Sequence, residues 1–166
     1  MRILTTTAVA LSLVTAPAVA AGLAGRDPVR ATADRVETLR FTDKVNAARN
    51  IDIDAGEPGF SVGNQQVFMD DLYQDGKWVG TSSGVSEIVA LDPTHLSGQA
   101  TVTVTLPEGT LTGQLAFTEV LADGPPDGIV LAITGGTGKY RGASGECISH
   151  QMPGTDDTTV TCTIQR

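Results

Sequence analysis

The feature that most constrains the fold is a series of short β-strand patterns, separated by turn signals, along most of the sequence. Residues 101–106 alternate Thr with an apolar residue, and Pro, Glu and Gly follow directly at 107–109. β-Branched residues with a two-residue period are typical of strands with one buried face. Similar runs recur from Leu39 to Ile164. Short strands at this regular spacing predict an all-β antiparallel barrel or sandwich in one domain.

Composition and charge exclude several functions. The chain has 166 residues, of which 40% are hydrophobic, enough to form one core. Its formal net charge is −8, so the phosphate backbone of a nucleic acid would repel it. An anionic membrane surface would repel it for the same reason. We therefore expect neither a nucleic-acid partner nor stable membrane association.

The N-terminal residues carry the pattern of a secretory signal peptide. Arg2 precedes an apolar stretch at 8–14, and small residues at 16–21 provide a cleavage site after Ala20 or Ala21. An N-terminal core helix is the alternative interpretation. Residues 1–21 are thus predicted to be a signal peptide, 22–38 an N-terminal extension and 39–166 a single β-barrel domain. A cleaved signal predicts a secreted, extracellular protein.

The two cysteines are placed to face each other across a hairpin. A turn signal at 153–156 lies midway between Cys147 and Cys162, and both flanking runs read as strands. An exported protein meets oxidising conditions, so a disulfide is predicted. Two buried free thiols are the alternative. Zinc is not expected, because the sequence has no CxxC or HxxxH pattern.

The remaining motifs give little support for a known catalytic centre. The Gly-rich run at 135–139 lacks the first glycine of a phosphate loop, and Tyr140 stands where such a loop needs Ser or Thr. The nucleophile elbow of an α/β-hydrolase is not predicted, because the run GTSSG at 80–84 has GxSxG spacing but lies within a strand pattern. His95 lies in a turn signal and His150 near a hairpin end. Asp52 and Asp54 read more readily as a solvated strand face than as metal ligands, and no metal site is predicted.

Three segments resemble one known family. They are VFMDDLY at 67–73, VGTSSGV at 79–85 and LAITGGTGKYRGASGE at 131–146. In order and spacing they are similar to the allene oxide cyclase barrel superfamily, which includes the dirigent proteins. The resemblance implies an eight-stranded antiparallel barrel with an apolar central cavity. It also admits a homo-oligomer, either a dimer or a trimer.

The resemblance implies a function in guiding ring closure. Members of the superfamily hold a small hydrophobic substrate in one conformation, so that one ring and one enantiomer form, and bacterial members promote [4+2] cyclisation in antibiotic biosynthesis. It implies no metal and no organic cofactor. The expected activity is a cyclase or isomerase acting on a hydrophobic metabolite of secondary metabolism. An exported, non-catalytic ligand-binding or structural barrel is the alternative.

Two candidate catalytic positions follow from the resemblance. An Asn in the first matched segment and a Cys after the second point into the cavity of plant allene oxide cyclases, and here these positions hold Asp70 and Ser86. The catalytic Glu of the family lies on the first strand, and it is not placed in this sequence. A carboxylate inside an apolar barrel is a candidate acid or base. A structural ion pair with Arg40, Arg49 or Arg141 is the alternative for Asp70.

The register of the first long hairpin selects the cavity-lining residues. A two-residue turn at 75–76 would place Asp70 opposite Thr81, whereas a three-residue turn with a bulge would place it opposite Gly80. Only the second register agrees with the inward positions of the family, so it is the prediction. The residues predicted to line the cavity and bind the ligand are Phe68, Leu72, Trp78, Ser82, Ile88, Val102, Val104, Leu115, Phe117 and Glu119.

Overall fold

A computed structural model describes residues 35–56 and 58–166. The predicted signal peptide lies outside the described residues, as does most of the predicted extension. Nine strands are found in the described part of the chain. They are β1 (Val36–Lys44), β2 (Ile51–Ile53), β3 (Gln65–Gln74), β4 (Lys77–Leu91), β5 (His95–Leu106), β6 (Gly109–Val120), β7 (Ile129–Gly136), β8 (Ser144–Gln151) and β9 (Thr158–Gln165). Two short 3-10 helices, Ala47–Arg49 and Gly138–Tyr140, follow β1 and β7.

The strands form one closed antiparallel barrel. The sheet order is β1-β9-β8-β7-β6-β5-β4-β3-β2, and an additional pairing between β1 and β3 closes the ring. Within the described residues, strand β2 pairs only with β3 and stands beside the ring of eight. The predicted all-β, eight-stranded antiparallel barrel is therefore confirmed. Strand β1 begins at Val36, earlier than the predicted Leu39.

The β3–β4 hairpin corrects the predicted register. Asp75 and Gly76 have φ values of 50° and 74°, which suit a two-residue turn with Gln74 opposite Lys77. The register then shifts between Leu72 and Tyr73, so that Asp70 pairs with Ser82 and not with Gly80. The bulge was predicted in the turn, but it lies within the strands. The observed partner of Asp70, Ser82, lies two residues from the predicted partner, Gly80. Because side chains alternate with a period of two, the predicted inward face of β3 is nevertheless retained.

One end of the barrel is filled by side chains. Tyr140, brought in by the second 3-10 helix, is buried with Leu111, Ile133 and Ile164. Outside this layer, Lys139 forms ion pairs with Glu37 and Glu108, and Arg166 also pairs with Glu37. This end is called the closed end below. The opposite end, where β4 and β6 terminate, is called the mouth.

The predicted disulfide is confirmed. Cys147 on β8 faces Cys162 on β9, and the two are joined by a disulfide bond with both side chains buried. A buried disulfide suits an oxidising compartment. No helix in the described residues is both long and apolar enough to span a bilayer.

Candidate functional site

An apolar cavity of about 180 Å³ lies inside the barrel. Glycine shapes it at one point: a Cβ on Gly84 would lie 2.1 Å from the carbonyl oxygen of Thr101 and 2.9 Å from the Phe68 ring. The absence of that Cβ lets the aromatic ring lie across β4. Six residues predicted from the sequence line this cavity. They are Phe68, Leu72, Ser82, Val102, Val104 and Leu115.

Asp43 on β1 lines the same cavity and brings a carboxyl group into it. The Ser82 hydroxyl donates a hydrogen bond of 2.7 Å to Oδ2 of Asp43. The other oxygen, Oδ1, is buried and has no hydrogen-bond partner within the described residues. An oxygen in this position favours the protonated, neutral form of the carboxyl group, because burial of an unpaired charge is costly.

The electrostatic surroundings of Asp43 act mainly in one direction. Its pKa is raised to about 6, chiefly by burial and further by the negative charges of Asp70, Asp157 and Asp71. The hydrogen bond from Ser82 opposes them and lowers the pKa. The carboxyl group can therefore exchange a proton near neutral pH, which is what general acid–base chemistry requires.

Asp70 takes a different position from the one its prediction implied. It is buried on the inward side of β3, but it is not among the residues that line the inner cavity. Its Oδ1 accepts a hydrogen bond of 2.8 Å from the backbone N–H of Asn46, in the connection after β1. The arginine alternative is not seen, since Arg49 pairs with the neighbouring Asp71. A catalytic role for Asp70 stays a prediction.

A second, larger cleft of about 510 Å³ lies at the mouth. Four predicted residues line it: Ser86, Ile88, Phe117 and Glu119. A Cβ on Gly98 would lie 2.4 Å from the Phe117 ring, so this glycine provides the space that the ring occupies. The cleft adjoins the inner cavity along the barrel axis, because Leu115 and Phe117 are successive inward positions of β6.

The prediction that Trp78 lines the cavity is wrong. Its side chain is 58% exposed, and its ring N–H donates a hydrogen bond of 3.1 Å to Asp71. The physical reason is the position of the bulge. Trp78 lies on the turn side of the register shift, opposite Tyr73, so its side chain falls on the outer face.

Asp43 is the functional candidate that the sequence reasoning missed. The signal was present in the predicted first strand, where Leu39, Phe41 and Asp43 alternate and so share one face. Leu39 packs against the core, Phe41 is buried, and Asp43 is the polar member of this inward set. An acidic residue on the apolar face of a strand was therefore visible before the fold was known.

The other titratable candidates lie away from the inner cavity. His95 and His150 contact Asp92 and Asp127 on the protein surface. Asp52 and Asp54 accept hydrogen bonds from Gln66 and Asn64 at the mouth. Over residues 35–56 and 58–166, no group of three or more His, Cys, Asp or Glu residues is placed to hold a metal ion.

Comparisons with known proteins agree with this architecture. The family described as the allene oxide cyclase barrel like domain matches residues 42–164. A comparison with curated proteins gives no significant match.

Three solved structures illustrate the likeness. A pyocyanin demethylase superposes with a TM-score of 0.64 and 26% sequence identity, over 77% of this chain and 99% of that one. A pterocarpan synthase dirigent protein gives a TM-score of 0.60 and 18% identity, over 80% and 84% of the two chains. The Diels–Alderase AbmU from Streptomyces koyangensis gives 0.59 and 15%, over 82% and 70%.

Proposed function

The chain belongs to the allene oxide cyclase barrel like family, and from that premise we propose that its barrel directs ring closure of a small hydrophobic metabolite. The observation that carries the proposal is Asp43, a carboxyl group in an apolar cavity with its pKa raised to about 6. In this proposal Asp43 is the general acid and Ser82 is its positioning residue. The reaction needs no cofactor.

The hydrogen bond from Ser82 assigns roles to the two oxygens of Asp43. Oδ2 accepts from the Ser82 hydroxyl, which leaves Oδ1 to carry the proton in the neutral acid. Oδ1–H donates to a substrate oxygen that gains negative charge as the new ring bond forms. The proton returns to Oδ1 as the cyclic product forms, so the overall change is an isomerisation with no net loss of atoms or electrons. The apolar walls contribute by excluding unproductive conformers.

The two cavities are suited to hold different parts of one substrate molecule. The inner cavity of about 180 Å³ is smaller than the sites of about 300–1,000 Å³ that hold drug-sized ligands, whereas the mouth cleft of about 510 Å³ reaches that range. In the proposal, the reacting part lies inside against Asp43, and the rest of the molecule occupies the cleft. Ser86, Ile88, Phe117 and Glu119 would then contact the outer part of the substrate.

A second candidate function is demethylation of a small metabolite. The 26% identity to a pyocyanin demethylase, across nearly all of that chain, favours it.

The proposed location is extracellular, which the buried disulfide supports. We also propose a homo-oligomer, a dimer or a trimer, on the basis of the family resemblance alone.

The test is a turnover assay with purified protein and a substrate panel. The panel contains an unsaturated epoxide, a molecule with a diene and a tethered dienophile, and pyocyanin. Rate and enantiomeric excess are measured by chiral chromatography. Wild-type protein is expected to accelerate one ring closure and give one enantiomer in excess. Asp43→Asn should lower the rate by about 10²–10⁴-fold, the usual contribution of a general acid.

Asp123→Asn is the matched control, because Asp123 is exposed in the loop after β6 and lines neither the inner cavity nor the mouth cleft. The pH profile provides a second test: activity should fall as the pH rises through about 6. Ser82→Ala removes a hydrogen bond that lowers the pKa of Asp43, so it should move this fall to higher pH. Full activity of Asp43→Asn would refute the assignment. Tight binding of panel members without any turnover would favour the non-catalytic barrel.

A further inference from the structure

The geometry points to a hydrophobic cation as the ligand of the mouth cleft. We propose that the cleft recognises an aromatic or alkyl group that carries an ammonium or iminium charge. This inference deepens the proposed function by naming the charge class of the ligand. It depends on the cleft and not on the acid chemistry of Asp43.

The floor of the cleft is apolar and aromatic. Ile88, Leu96 and Phe117 come from three barrel strands, and Phe60 and Ile53 come from β2 and the loop that follows it. Leu96 is buried, whereas Phe60 is 64% exposed and Ile53 44% exposed. Exposed apolar side chains that face a cavity lose contact with water when an apolar ligand enters. The ligand therefore has an apolar body.

Acidic side chains accompany this apolar floor. Among the described residues, the charged ones that line the cleft are Asp52, Asp54, Glu87 and Glu119, with no Lys, Arg or His. The four carboxylates would repel an anionic ligand and offer no charge attraction to a neutral one. A cation would be attracted by the carboxylates and by the faces of the two phenyl rings, which are negative.

The carboxylates at the mouth have acceptor capacity left for a ligand. Asp52 accepts a hydrogen bond at Oδ1 from Gln66, and Asp54 accepts one at Oδ1 from Asn64. These bonds hold the two side chains in place and use one oxygen of each. The carboxylate of Glu119 has no hydrogen bond or ion pair within residues 35–56 and 58–166, whereas its backbone pairs with Leu96. The Glu119 carboxylate can therefore bind a ligand cation without losing an existing side-chain interaction.

The overall charge of the protein supports the same ligand class. With 19 acidic and 11 basic residues, the chain has a field that draws cations towards it and repels anions. The described Lys and Arg side chains that form ion pairs lie elsewhere: Lys139 and Arg166 at the closed end, and Arg49 with Asp71 on β3. Among the described residues, no basic side chain of the cleft lining therefore neutralises its four carboxylates.

A set of three probes of similar size separates charge from hydrophobicity. They are phenyltrimethylammonium, its neutral isostere tert-butylbenzene, and benzenesulfonate, and binding to the full chain is measured by NMR titration. We expect the cation to bind at least about tenfold more tightly than the neutral isostere. Benzenesulfonate should show no measurable binding. Raising the salt from about 20 mM to about 500 mM should reduce the preference for the cation, because salt screens exposed charges.

Variants locate the site. Glu119→Gln should weaken binding of phenyltrimethylammonium by about threefold or more and leave tert-butylbenzene unchanged. Glu146→Gln is the matched control, since Glu146 is exposed on β8 and does not line the cleft. Phe60→Leu keeps an apolar side chain on an exposed loop but removes the aromatic ring. It should weaken binding of phenyltrimethylammonium more than binding of tert-butylbenzene.

Equal affinities for the cation and its neutral isostere would overturn the inference. So would equal effects of Glu119→Gln and Glu146→Gln. Each result is independent of the turnover assay. Loss of cation preference with intact, Asp43-dependent turnover would leave the proposed function standing. Selective cation binding without turnover would support the cation site and contradict the proposed function.

Discussion

At the residue scale, the buried carboxyl group of Asp43 should leave a pH signature in the stability of the fold. The pKa of Asp43 is about 6 in the folded protein and 3.8 in the reference state. Between these values the folded state retains a proton that the unfolded state has lost, so the free energy of unfolding falls as the pH rises. Relative to Asp43→Asn, wild-type protein should lose about 2–3 kcal/mol between about pH 4 and pH 7.

Urea denaturation of both proteins at several pH values measures this difference directly. Comparing them cancels the contributions of other carboxyl groups, such as Asp71 and Asp127, whose pKa values are lowered by their hydrogen-bond partners Arg49 and His150. Parallel stability profiles for the two proteins would show that Asp43 titrates normally in the fold.

The choice between two acidic residues shows how far the sequence can lead at this scale. Alternation along β3 correctly gives Asp70 an inward position, and the same rule applied to β1 gives one to Asp43. The rule does not say which of them reaches the cavity. That depends on the backbone of Asn46, which donates to Asp70 over a separation of 24 residues. Such a contact between remote segments has no local sequence signal.

At the scale of elements, the β8–β9 hairpin should depend on its disulfide. Cys147 and Cys162 are 15 residues apart, so the bond restricts the unfolded chain by an amount worth about 3 kcal/mol. Replacing both by Ala should lower the free energy of unfolding by about that amount, with further loss from the vacated volume. Chemical denaturation with and without reductant provides the measurement. A reduced wild-type protein as stable as the oxidised one would contradict the expectation.

The β3–β4 hairpin shows why one element was placed correctly and its register was not. The Asp75-Gly76 pair favours a two-residue turn, whereas the inward residues of the family require a register shift. The predicted register places the turn and the register shift together in one bulged turn. The structure satisfies them separately, with a tight turn and an irregularity further along the strands. No residue type marks where a bulge must fall, so Trp78 was assigned to the wrong face.

At the scale of the whole molecule, closure of the barrel rests on a short seam. Strand β1 pairs with β9 from Val36 to Asp43, but with β3 only from Thr42 to Lys44. The strand patterns in the sequence do not indicate which strands pair to close a barrel. The prediction of a closed barrel therefore came from the family resemblance. The hydrogen bond from Asn46 to Asp70 lies beside these few pairs and ties the end of β1 to β3.

Two substitutions of Asp70 test whether its main contribution is to this seam. Asp70→Asn keeps a side-chain oxygen that can accept from the N–H of Asn46, so the barrel should close with nearly unchanged stability. Asp70→Ala leaves that donor without its partner and should cost about 1–3 kcal/mol. Hydrogen exchange should then quicken in β1 and β3 while the β5–β6 pairing stays protected.

The same pair of variants separates the seam from catalysis. Asp70→Asn also removes a negative charge that raises the pKa of Asp43, so the pH dependence assigned to Asp43 should move to lower pH while turnover is retained. If Asp70 instead transferred the proton, Asp70→Asn would lose turnover with its stability and exchange pattern intact. That outcome would return the catalytic role to β3, where the family resemblance first placed it.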